Sequence, residues 1–305
     1  MPSPSTEQSG FWMNVKEIAV LLLIVFLIRT FGFGLYQVPT GSMETTMLVG
    51  ERFFADKLTP YFKSIQHGEI IAFNDPVWPH YSKNPLKRIF QEYIWGPSNW
   101  TKRVIGVPGD LVEGRIENGK PVVYLNGKKL DEPYINKYPL VQVRKYDKLE
   151  FNRRLRRGEH PATLFTAPKS WAPEATSELT QPFYRIKKDR IAAQSIVYPG
   201  QPIPGTPLDP NFGKKEREQG VNYRNKDQFF VKLGPSEYWV MGDNRLGSRD
   251  SRSFGPLDGR LIHGRILYRI WSIDSDESWW ILDLIKHPID FWKRVRWGRF
   301  FQRVR

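Results

Sequence analysis

An unbroken apolar run from Ile18 to Ile28 constrains the fold of this chain more than any other feature of its sequence. With its flanks it forms the segment 11–36, which as an α-helix would be about 39 Å long and could cross a bilayer. Lys16 and Arg29 can extend toward opposite membrane interfaces. A cleavable leader is the alternative, but no Ala-x-Ala-like site follows the run. The sequence therefore predicts one retained N-terminal transmembrane helix over 11–36, behind a disordered tail of residues 1–10.

The chain beyond this segment has the pattern of an antiparallel β protein. Side chains alternate between apolar and polar over 51–57 and 68–73, and a β-branched stretch covers 100–107. Asn118-Gly119 and Asn126-Gly127 each lie between short apolar runs, which is the strongest local signal for a two-residue hairpin turn. These features predict a β meander.

A polar, proline-containing stretch from 134 to 230 interrupts the strand pattern. Apolar strands return at 238–241 and 262–271. The fold class is therefore predicted to be mainly β, with an antiparallel β core built from 37–133 and 231–277 and a β-rich insertion between the two parts.

The C-terminal segment 278–305 mixes tryptophan and other apolar residues with lysine and arginine. It is too charged to span a membrane. Two interpretations stay open: the segment lies in the lipid headgroup region, or it packs as a surface helix on its own domain.

Composition excludes several classes of protein. The absence of cysteine rules out thiol catalysis, disulfides and thiolate metal sites. The net charge of +14 is able to attract nucleic acid or anionic lipid. Because the sequence has no zinc-finger spacing, RNP-type aromatic motif or P-loop, nucleic acid is not expected as a partner.

Ser42 stands directly after Gly41, just beyond the apolar segment, where Pro39 biases the chain toward an extended conformation. A serine is a poor nucleophile unless a base takes its proton. The five histidines are scattered, none belongs to a motif with an acid, and no G-x-S-x-G elbow is present. Lysine is the remaining candidate for the base.

Lys102 has the most suitable setting, an apolar strand in which Trp100 shares its face and Val104 follows. A free lysine with a pKa of about 10.4 is neutral in only about one molecule in 2,500 at pH 7. Burial among apolar groups disfavours the ammonium ion and lowers that pKa. A solvated surface lysine is the alternative interpretation of Lys102.

Three sequence blocks, in this order after an apolar N-terminal segment, resemble the motifs of type I signal peptidases. The blocks are Pro39-Thr40-Gly41-Ser42-Met43, Lys102-Arg103-Val104-Ile105-Gly106-Val107-Pro108-Gly109-Asp110, and Gly242-Asp243-Asn244-Arg245 followed by Ser248-Arg249-Asp250-Ser251-Arg252. They cover under a quarter of the chain and include neither the insertion nor the C-terminal segment.

The resemblance implies a membrane-anchored serine endopeptidase with a serine–lysine dyad. Ser42 would be the nucleophile and Lys102 the general base. The Ser42 amide and the Thr40 hydroxyl would form the oxyanion hole.

The third block would support the site. Ser248 matches a serine that orients the lysine. Asp250 and Arg252 match an acid and a base that brace the site as an ion pair. Three residues of the preceding turn are expected to shape it: Asp243, Asn244 and Arg245.

The implied substrates are signal peptides of exported preproteins, with small side chains at positions one and three before the scissile bond. Shallow apolar pockets would accept alanine and exclude larger side chains, and the matching positions are Val38, Ala72 and Thr101. Thr101 stands where the family more often has a branched apolar residue, so its pocket is expected to be slightly more polar. Thr40 replaces a commoner serine and keeps the hydroxyl.

The resemblance also implies no cofactor and no metal, contact with membrane lipid, and a single-pass topology with the site on the outer, periplasmic side of the cytoplasmic membrane. Two alternatives stay open. One is a specialised relative that processes one dedicated precursor, such as a pilin-type or organelle import peptidase. The other is a non-enzymatic, membrane-anchored β module that binds lipid or a partner through its basic C-terminal segment.

Overall fold

The protein is mainly β. The computed structural model describes residues 4–38, 40–48, 50–76, 84–87, 99–137, 140–143, 171–173, 191–197, 202, 212, 223–225, 227–273 and 280–304. The strands are β1 (Phe33–Gln37), β2 (Arg52–Asp56), β3 (Ile70–Asn74), β4 (Asn99–Gly106), β5 (Leu111–Glu117), β6 (Lys120–Leu125), β7 (Lys128–Lys129), β8 (Leu140–Val143), β9 (Trp171–Pro173), β10 (Ile191–Val197), β11 (Tyr223–Asn225), β12 (Gln228–Lys232), β13 (Glu237–Met241), β14 (Leu257–Asp258), β15 (Ile262–Trp271) and β16 (Gln302–Arg303). Every strand pair among these residues is antiparallel, which confirms the mainly β, antiparallel part of the predicted fold class.

The largest sheet has eight strands in the order β1-β2-β15-β3-β4-β13-β14, with β16 added on β15. In β2 the alternation expected from the sequence is observed directly, because Phe53 and Ala55 are buried while their neighbours are partly exposed. β4 is an inner strand between β3 and β13, so its middle residues are buried. A side chain there is removed from water by both neighbouring strands and the layers that pack on the sheet.

A second sheet has five strands in the order β11-β12-β5-β6-β7. Both predicted hairpin turns are present in it. Asn118 and Gly119 have φ of 49° and 74°, and Asn126 and Gly127 have φ of 50° and 80°. Positive φ at both central residues is the geometry of a type I′ turn, which Asn-Gly adopts with little strain.

The core extends further into the predicted insertion 134–230 than expected. β12 begins at Gln228 and pairs with β5, because Phe229 and Val231 of this strand enter the core of the second sheet. At the other end Tyr134 packs against the same cluster. Residues at both ends of the predicted insertion therefore pack with the second sheet, and the described part of the insertion contains a separate three-stranded sheet in the order β10-β8-β9.

The N-terminal segment differs from the prediction in its bounds. Helix α1 covers Pro4–Leu27 and is followed by a π-helical turn over Ile28–Gly32 and then by β1. Residues 4–10, expected to be disordered, are helical, and the predicted end of the anchor is a strand because it pairs with β2 along its whole length. Among the described residues, no helix has both the length and the apolar character needed to cross a membrane. The span predicted for 11–36 is therefore not confirmed.

The C-terminal segment packs on its own domain. It contains α3 (Trp280–Lys286) and α4 (Pro288–Arg294), and a short helix α2 (Ser251–Phe254) precedes β14. Phe291 and Val295 are buried against Ile273, and β16 extends the edge of β15. Other apolar side chains of the segment are exposed, among them Ile285 and Ile289. The second interpretation of this segment is therefore observed, and contact with lipid stays a prediction.

Candidate active site

Ser42 lies in one turn of 3-10 helix, Gly41–Met43. A Cβ atom at Gly41 would lie 2.5 Å from Oε1 of the buried Glu44, so glycine fits this turn without displacing that carboxylate. Asn244 holds the turn from the other side: its backbone N–H donates to the Ser42 carbonyl (3.1 Å) and its Nδ2 donates to the Gly41 carbonyl (3.0 Å). Backbone hydrogen bonds therefore fix the turn and leave the Ser42 hydroxyl available to another partner.

Lys102 reaches that hydroxyl from β4. Its Nζ lies 2.8 Å from Ser42 Oγ and donates a second hydrogen bond to the Thr101 carbonyl at 3.0 Å. Lys102 is 4% exposed and Ser42 is 9% exposed. The structure thus brings the two residues that the sequence paired, sixty positions apart, into direct contact in a site closed to bulk water.

Burial lowers the pKa of Lys102 from 10.5 to about 8. Desolvation penalises the ammonium ion, and the nearby carboxylates of Asp250 and Asp243 partly oppose the shift by favouring it. With a pKa of about 8, roughly one molecule in ten carries a neutral Lys102 at pH 7. The amine is therefore available as a base far more often than that of a solvated lysine.

Trp100 forms an aromatic wall beside the lysine. Its ring centroid lies 5.7 Å from Lys102 Nζ and 5.6 Å from the guanidinium carbon of the exposed Arg249. The ring is held by contacts with Phe73 and Phe254. Trp100 therefore helps to exclude water from the amine, on the face of β4 that alternation predicted.

Asp250 and Arg252 form a buried ion pair next to the lysine. Arg252 donates from Nε to Asp250 Oδ1 and from Nη2 to Oδ2, both at 2.9 Å, and it also donates to Asp227 at 2.9 Å. Asp250 accepts the Gly242 N–H at 3.0 Å and caps helix α2. Burial alone would raise the pKa of the Asp250 carboxyl, but the Arg252 guanidinium outweighs it and holds that pKa below its usual range. The pair is ionised and joins two segments of the site.

Ser248 is packed against the glycine that follows β13. A Cβ atom at Gly242 would lie 2.2 Å from Ser248 Oγ and 2.5 Å from the Ser42 carbonyl oxygen. Within the part of the chain that the structure describes, the buried Ser248 Oγ has no hydrogen bond of ordinary geometry, although it helps to lower the pKa of Asp250. Ser248 therefore adjoins the Ser42 turn, and its predicted contact with the lysine is not observed.

Asp243 has a partner that sequence reasoning missed. Arg103 donates to it twice, from Nε at 2.8 Å and from Nη2 at 2.7 Å, and both side chains are buried. The Thr46 hydroxyl donates to the same carboxylate at 2.5 Å, and the Arg103 guanidinium lies 4.0 Å from the ring centroid of Tyr134. Arg103 belongs to the quoted block without an assigned role. The sequence does contain a feature that predicts this pairing: Arg103 is a permanently charged residue inside an apolar strand, and a buried charge requires a counterion.

Arg245 is also paired outside its own block. It donates to both carboxylate oxygens of Glu132 and from Nε to the Gly242 carbonyl at 3.2 Å. Glu132 in turn accepts from the Tyr134 hydroxyl at 3.0 Å. Glu132 lies at the predicted boundary of the insertion, and no local pattern in the sequence marks it as a partner.

Two of the predicted pocket residues share one face of the large sheet, and the third packs against one of them. Ala72 and Thr101 are directly opposite each other on β3 and β4, so their side chains share a face. Val38 is buried in the same apolar cluster as Ala72 and Met43. Thr40 precedes the Ser42 turn with extended backbone and an exposed side chain.

Metal ligands are not grouped in this region. Within the described residues no set of three or more His, Asp or Glu side chains is arranged to hold a metal ion.

Comparison with known proteins gives consistent matches. The sequence model of the family described as signal peptidase, peptidase S26, matches residues 12–271. The chain is 25% identical over 261 residues to signal peptidase IB of Staphylococcus aureus, which covers 86% of this chain and 90% of that protein. It is 23% identical over 288 residues to signal peptidase I of Buchnera aphidicola, covering 90% and 80%. A crystal structure of a signal peptidase I from Enterococcus faecalis matches at 20% identity with a TM-score of 0.26, covering 67% of this chain and 97% of that one.

Proposed function

The chain belongs to the peptidase S26 family of signal peptidases, a family of serine hydrolases, and we propose that it removes signal peptides from exported preproteins through an acyl-enzyme at Ser42. Lys102 is the general base in this proposal. The single observation that carries it is the 2.8 Å contact between Lys102 Nζ and Ser42 Oγ in a buried setting. Nucleophile and base within hydrogen-bond reach is the geometry that activation of a serine requires.

In the acylation step, neutral Lys102 takes the proton of the Ser42 hydroxyl as Oγ attacks the scissile carbonyl carbon. The C–O bond forms, and the carbonyl electron pair moves onto the oxygen of the tetrahedral intermediate. When the intermediate collapses, the peptide C–N bond breaks and the ammonium of Lys102 returns its proton to the departing amine. The signal peptide is left as an ester on Ser42.

In the deacylation step, Lys102 accepts a proton from water, and the resulting hydroxide equivalent attacks the ester carbonyl. The Ser42 oxygen leaves and is reprotonated by Lys102, so the site returns to its starting state. We assign stabilisation of the oxyanion in both steps to the Ser42 amide and the Thr40 hydroxyl. A single such donor commonly contributes about 10²–10³ in rate.

The residues around the dyad hold it in place. Asn244 clamps the nucleophile turn through two backbone carbonyls, and the Asp250–Arg252 pair connects the lysine region to Gly242. We assign Ser248 to the support of this region, through its packing against Gly242. Fixed geometry matters because misplacement of a reacting group by about 1 Å can cost about 10²-fold in rate.

We assign substrate selection to Val38, Ala72 and Thr101. The face that Ala72 shares with Thr101 and the apolar cluster that Val38 shares with Ala72 support shallow pockets that accept alanine and exclude larger side chains. The Thr101 hydroxyl makes one of these pockets more polar than a branched apolar residue would.

We propose that α1 and the adjoining turn attach the protein to the membrane, with the site on the outer face of the cytoplasmic membrane. The apolar side chains of residues 18–28 are exposed, from 38% at Phe26 to 62% at Leu22. A row of exposed apolar side chains of this size is unusual on a soluble surface and is stabilised by lipid.

The test is cleavage of a precursor whose signal ends in Ala-x-Ala by the detergent-solubilised full chain. Mass spectrometry is expected to show that the wild type cleaves directly after that motif. The Ser42→Ala and Lys102→Ala variants are expected to show no cleavage while they retain the wild-type melting temperature. A wild type that folds but leaves every Ala-x-Ala precursor intact would overturn the proposal.

A further inference from the structure

The C-terminal segment 280–304 lies beyond the region that the family shares, which ends at residue 271, yet it reaches the loop that follows the nucleophile. This loop, residues 44–48, leads from the Ser42 turn toward β2 and is called the post-serine loop below. Glu51, just beyond it, is completely buried and accepts the backbone N–H of Leu48 at 2.9 Å. A buried carboxylate requires charged partners, and these partners come from two parts of the chain.

Arg299 of the C-terminal segment is one of these partners. It donates from Nε to Glu51 Oε1 at 2.6 Å and from Nη2 to Oε2 at 3.2 Å, which is a two-point contact with the carboxylate. The same Nη2 lies 3.2 Å from the Thr46 carbonyl oxygen. Arg269 of β15 also donates to Glu51 at 3.0 Å and to the Thr46 carbonyl at 2.6 Å. Two guanidinium groups therefore hold the same carbonyl of the post-serine loop.

The ionisation state of the buried Glu51 supports its contact with Arg299. Burial alone would raise the pKa of Glu51, but hydrogen bonding and attraction from Arg299 lead the effects that hold that pKa below its usual range. Glu51 is therefore ionised, and its charge fixes both guanidinium groups.

Thr46 links Arg299 to the Ser42 turn through its own hydrogen bonds. Its hydroxyl donates to Asp243 Oδ2 at 2.5 Å, while its carbonyl accepts from Arg299. Asp243 directly precedes Asn244, whose backbone N–H donates to the Ser42 carbonyl. A continuous series of contacts thus runs from Arg299 through Thr46 and Asp243 to the Ser42 turn.

We propose that Arg299 is a positioning residue for Ser42. The C-terminal segment, which lies outside the residues that the family model matches, then contributes to the geometry of the active site. Arg299 touches neither substrate nor the reacting atoms and acts through Thr46. The inference rests on the proposed peptidase function, and its test is arranged so that the two can fail separately.

The experiment measures kcat and KM for the Ala-x-Ala precursor with full-length Arg299→Ala, Arg299→Lys and Arg294→Ala. Arg294 is the matched control, because it lies in the same segment, pairs with the buried Asp283 and is similarly exposed, at 25% against 22% for Arg299. A serine-directed acylating inhibitor labels the reactive Ser42, and each rate is divided by the concentration of labelled enzyme. We expect Arg299→Ala to lower kcat about tenfold with KM changed less than about twofold, and Arg299→Lys to restore part of the loss. Arg294→Ala keeps the wild-type kcat even if its melting temperature falls.

A double-mutant cycle with Thr46→Val tests the route of the effect. If Arg299 acts through Thr46, the double variant is about as slow as Thr46→Val alone, and the two losses do not multiply. Losses that multiply, or equal losses of kcat in Arg299→Ala and Arg294→Ala, would overturn the inference. If Arg299→Ala does not fold, Arg299→Lys takes its place in the cycle, and the same comparison tests the route through Thr46.

Hydrogen exchange of residues 42–48 provides a readout that does not depend on activity. Arg299→Ala is expected to speed exchange there, and Arg294→Ala is not. If the wild type does not cleave the precursor, the proposed function fails, but hydrogen exchange still tests the role of Arg299. Unchanged exchange of residues 42–48 in Arg299→Ala would contradict that role.

Discussion

Arg103 and Asp243 form a two-point ion pair directly behind the nucleophile turn, with Nε–Oδ1 at 2.8 Å and Nη2–Oδ2 at 2.7 Å and both side chains almost fully buried. Arg103 also donates to the Gly68 carbonyl at 2.8 Å. This pair joins β4, which carries Lys102, to the turn that carries Asn244. Ser42 and Lys102 are therefore held by a buried charge pair as well as by backbone hydrogen bonds.

Replacing Arg103 by methionine is expected to lower the free energy of unfolding by about 3–5 kcal/mol, because it leaves Asp243 buried without its main counterion. Urea denaturation measures the change. Arg260→Met is the control, since Arg260 pairs with Asp258 on the surface and is 88% exposed. Its loss is expected to change stability by less than about 1 kcal/mol. Equal effects of the two substitutions would contradict the structural role of the buried pair.

Gly242→Ala is expected to reduce kcat by about 10²-fold, because the new Cβ atom would lie 2.5 Å from the Ser42 carbonyl oxygen and 2.2 Å from Ser248 Oγ. Steady-state kinetics on the Ala-x-Ala precursor measures the loss. Gly298→Ala is the matched control, since no atom lies within 4 Å of its Cβ position and its φ is not in the left-handed region. A Gly242→Ala enzyme with wild-type kcat would show that the nucleophile turn tolerates displacement.

Asp250→Asn is expected to move the pH dependence of cleavage to lower pH. The Asp250 carboxylate favours the ammonium form of Lys102 and raises its pKa, so removing the negative charge favours the neutral amine. Asparagine keeps an oxygen that can cap α2. The apparent pKa is measured from kcat/KM against pH, with the exposed Asp258→Asn as the control. A shift toward higher pH would contradict the assigned direction.

Lys102→Met is expected to stabilise the folded protein at neutral pH while abolishing cleavage. In the folded state the pKa of Lys102 is lowered to about 8, so between about pH 8 and 10.5 the unfolded chain binds more protons than the folded one. The contribution of wild-type Lys102 to stability therefore rises as pH rises through this range, by about 3 kcal/mol in total. The stability advantage of the variant is expected to be largest near pH 7 and to shrink toward pH 10. Urea unfolding at several pH values measures it, and an advantage that grows with pH would contradict the sign.

The sequence predicted the parts of this protein that depend on local chemistry. The two Asn-Gly sequences predict turns because few other residues adopt positive φ at both positions. Alternation predicts the strand around Phe53, and β-branched residues predict the strand around Lys102. The end of the N-terminal helix was misplaced because apolar residues continue through Gly32 into β1, where pairing with β2 outweighs helix formation. Hydrophobicity alone does not distinguish the two.

The site was predictable only in part, for a physical reason. Ser42 and Lys102 were identified by their blocks, but their contact depends on how β4 and the 3-10 turn come together. The partners Glu132 and Arg299 lie far from those blocks in sequence, and Thr46 follows the first block without belonging to it. Each of the three is fixed by a buried charge or carbonyl that it meets only in the folded chain. Local patterns carry no signal for such contacts.

The most direct test of Lys102 as the base is the pH dependence of kcat/KM from pH 6 to 10 for the wild-type full-length chain, which reports the ionisation of the free enzyme. A serine–lysine mechanism predicts activity that rises with pH through an apparent pKa of about 8, the value to which burial lowers the pKa of Lys102. That activity is lost in a folded Lys102→Ala variant. A rise centred near 6.5, as for a histidine, or a Lys102→Ala variant that keeps most of its activity would contradict the role of Lys102 as the base.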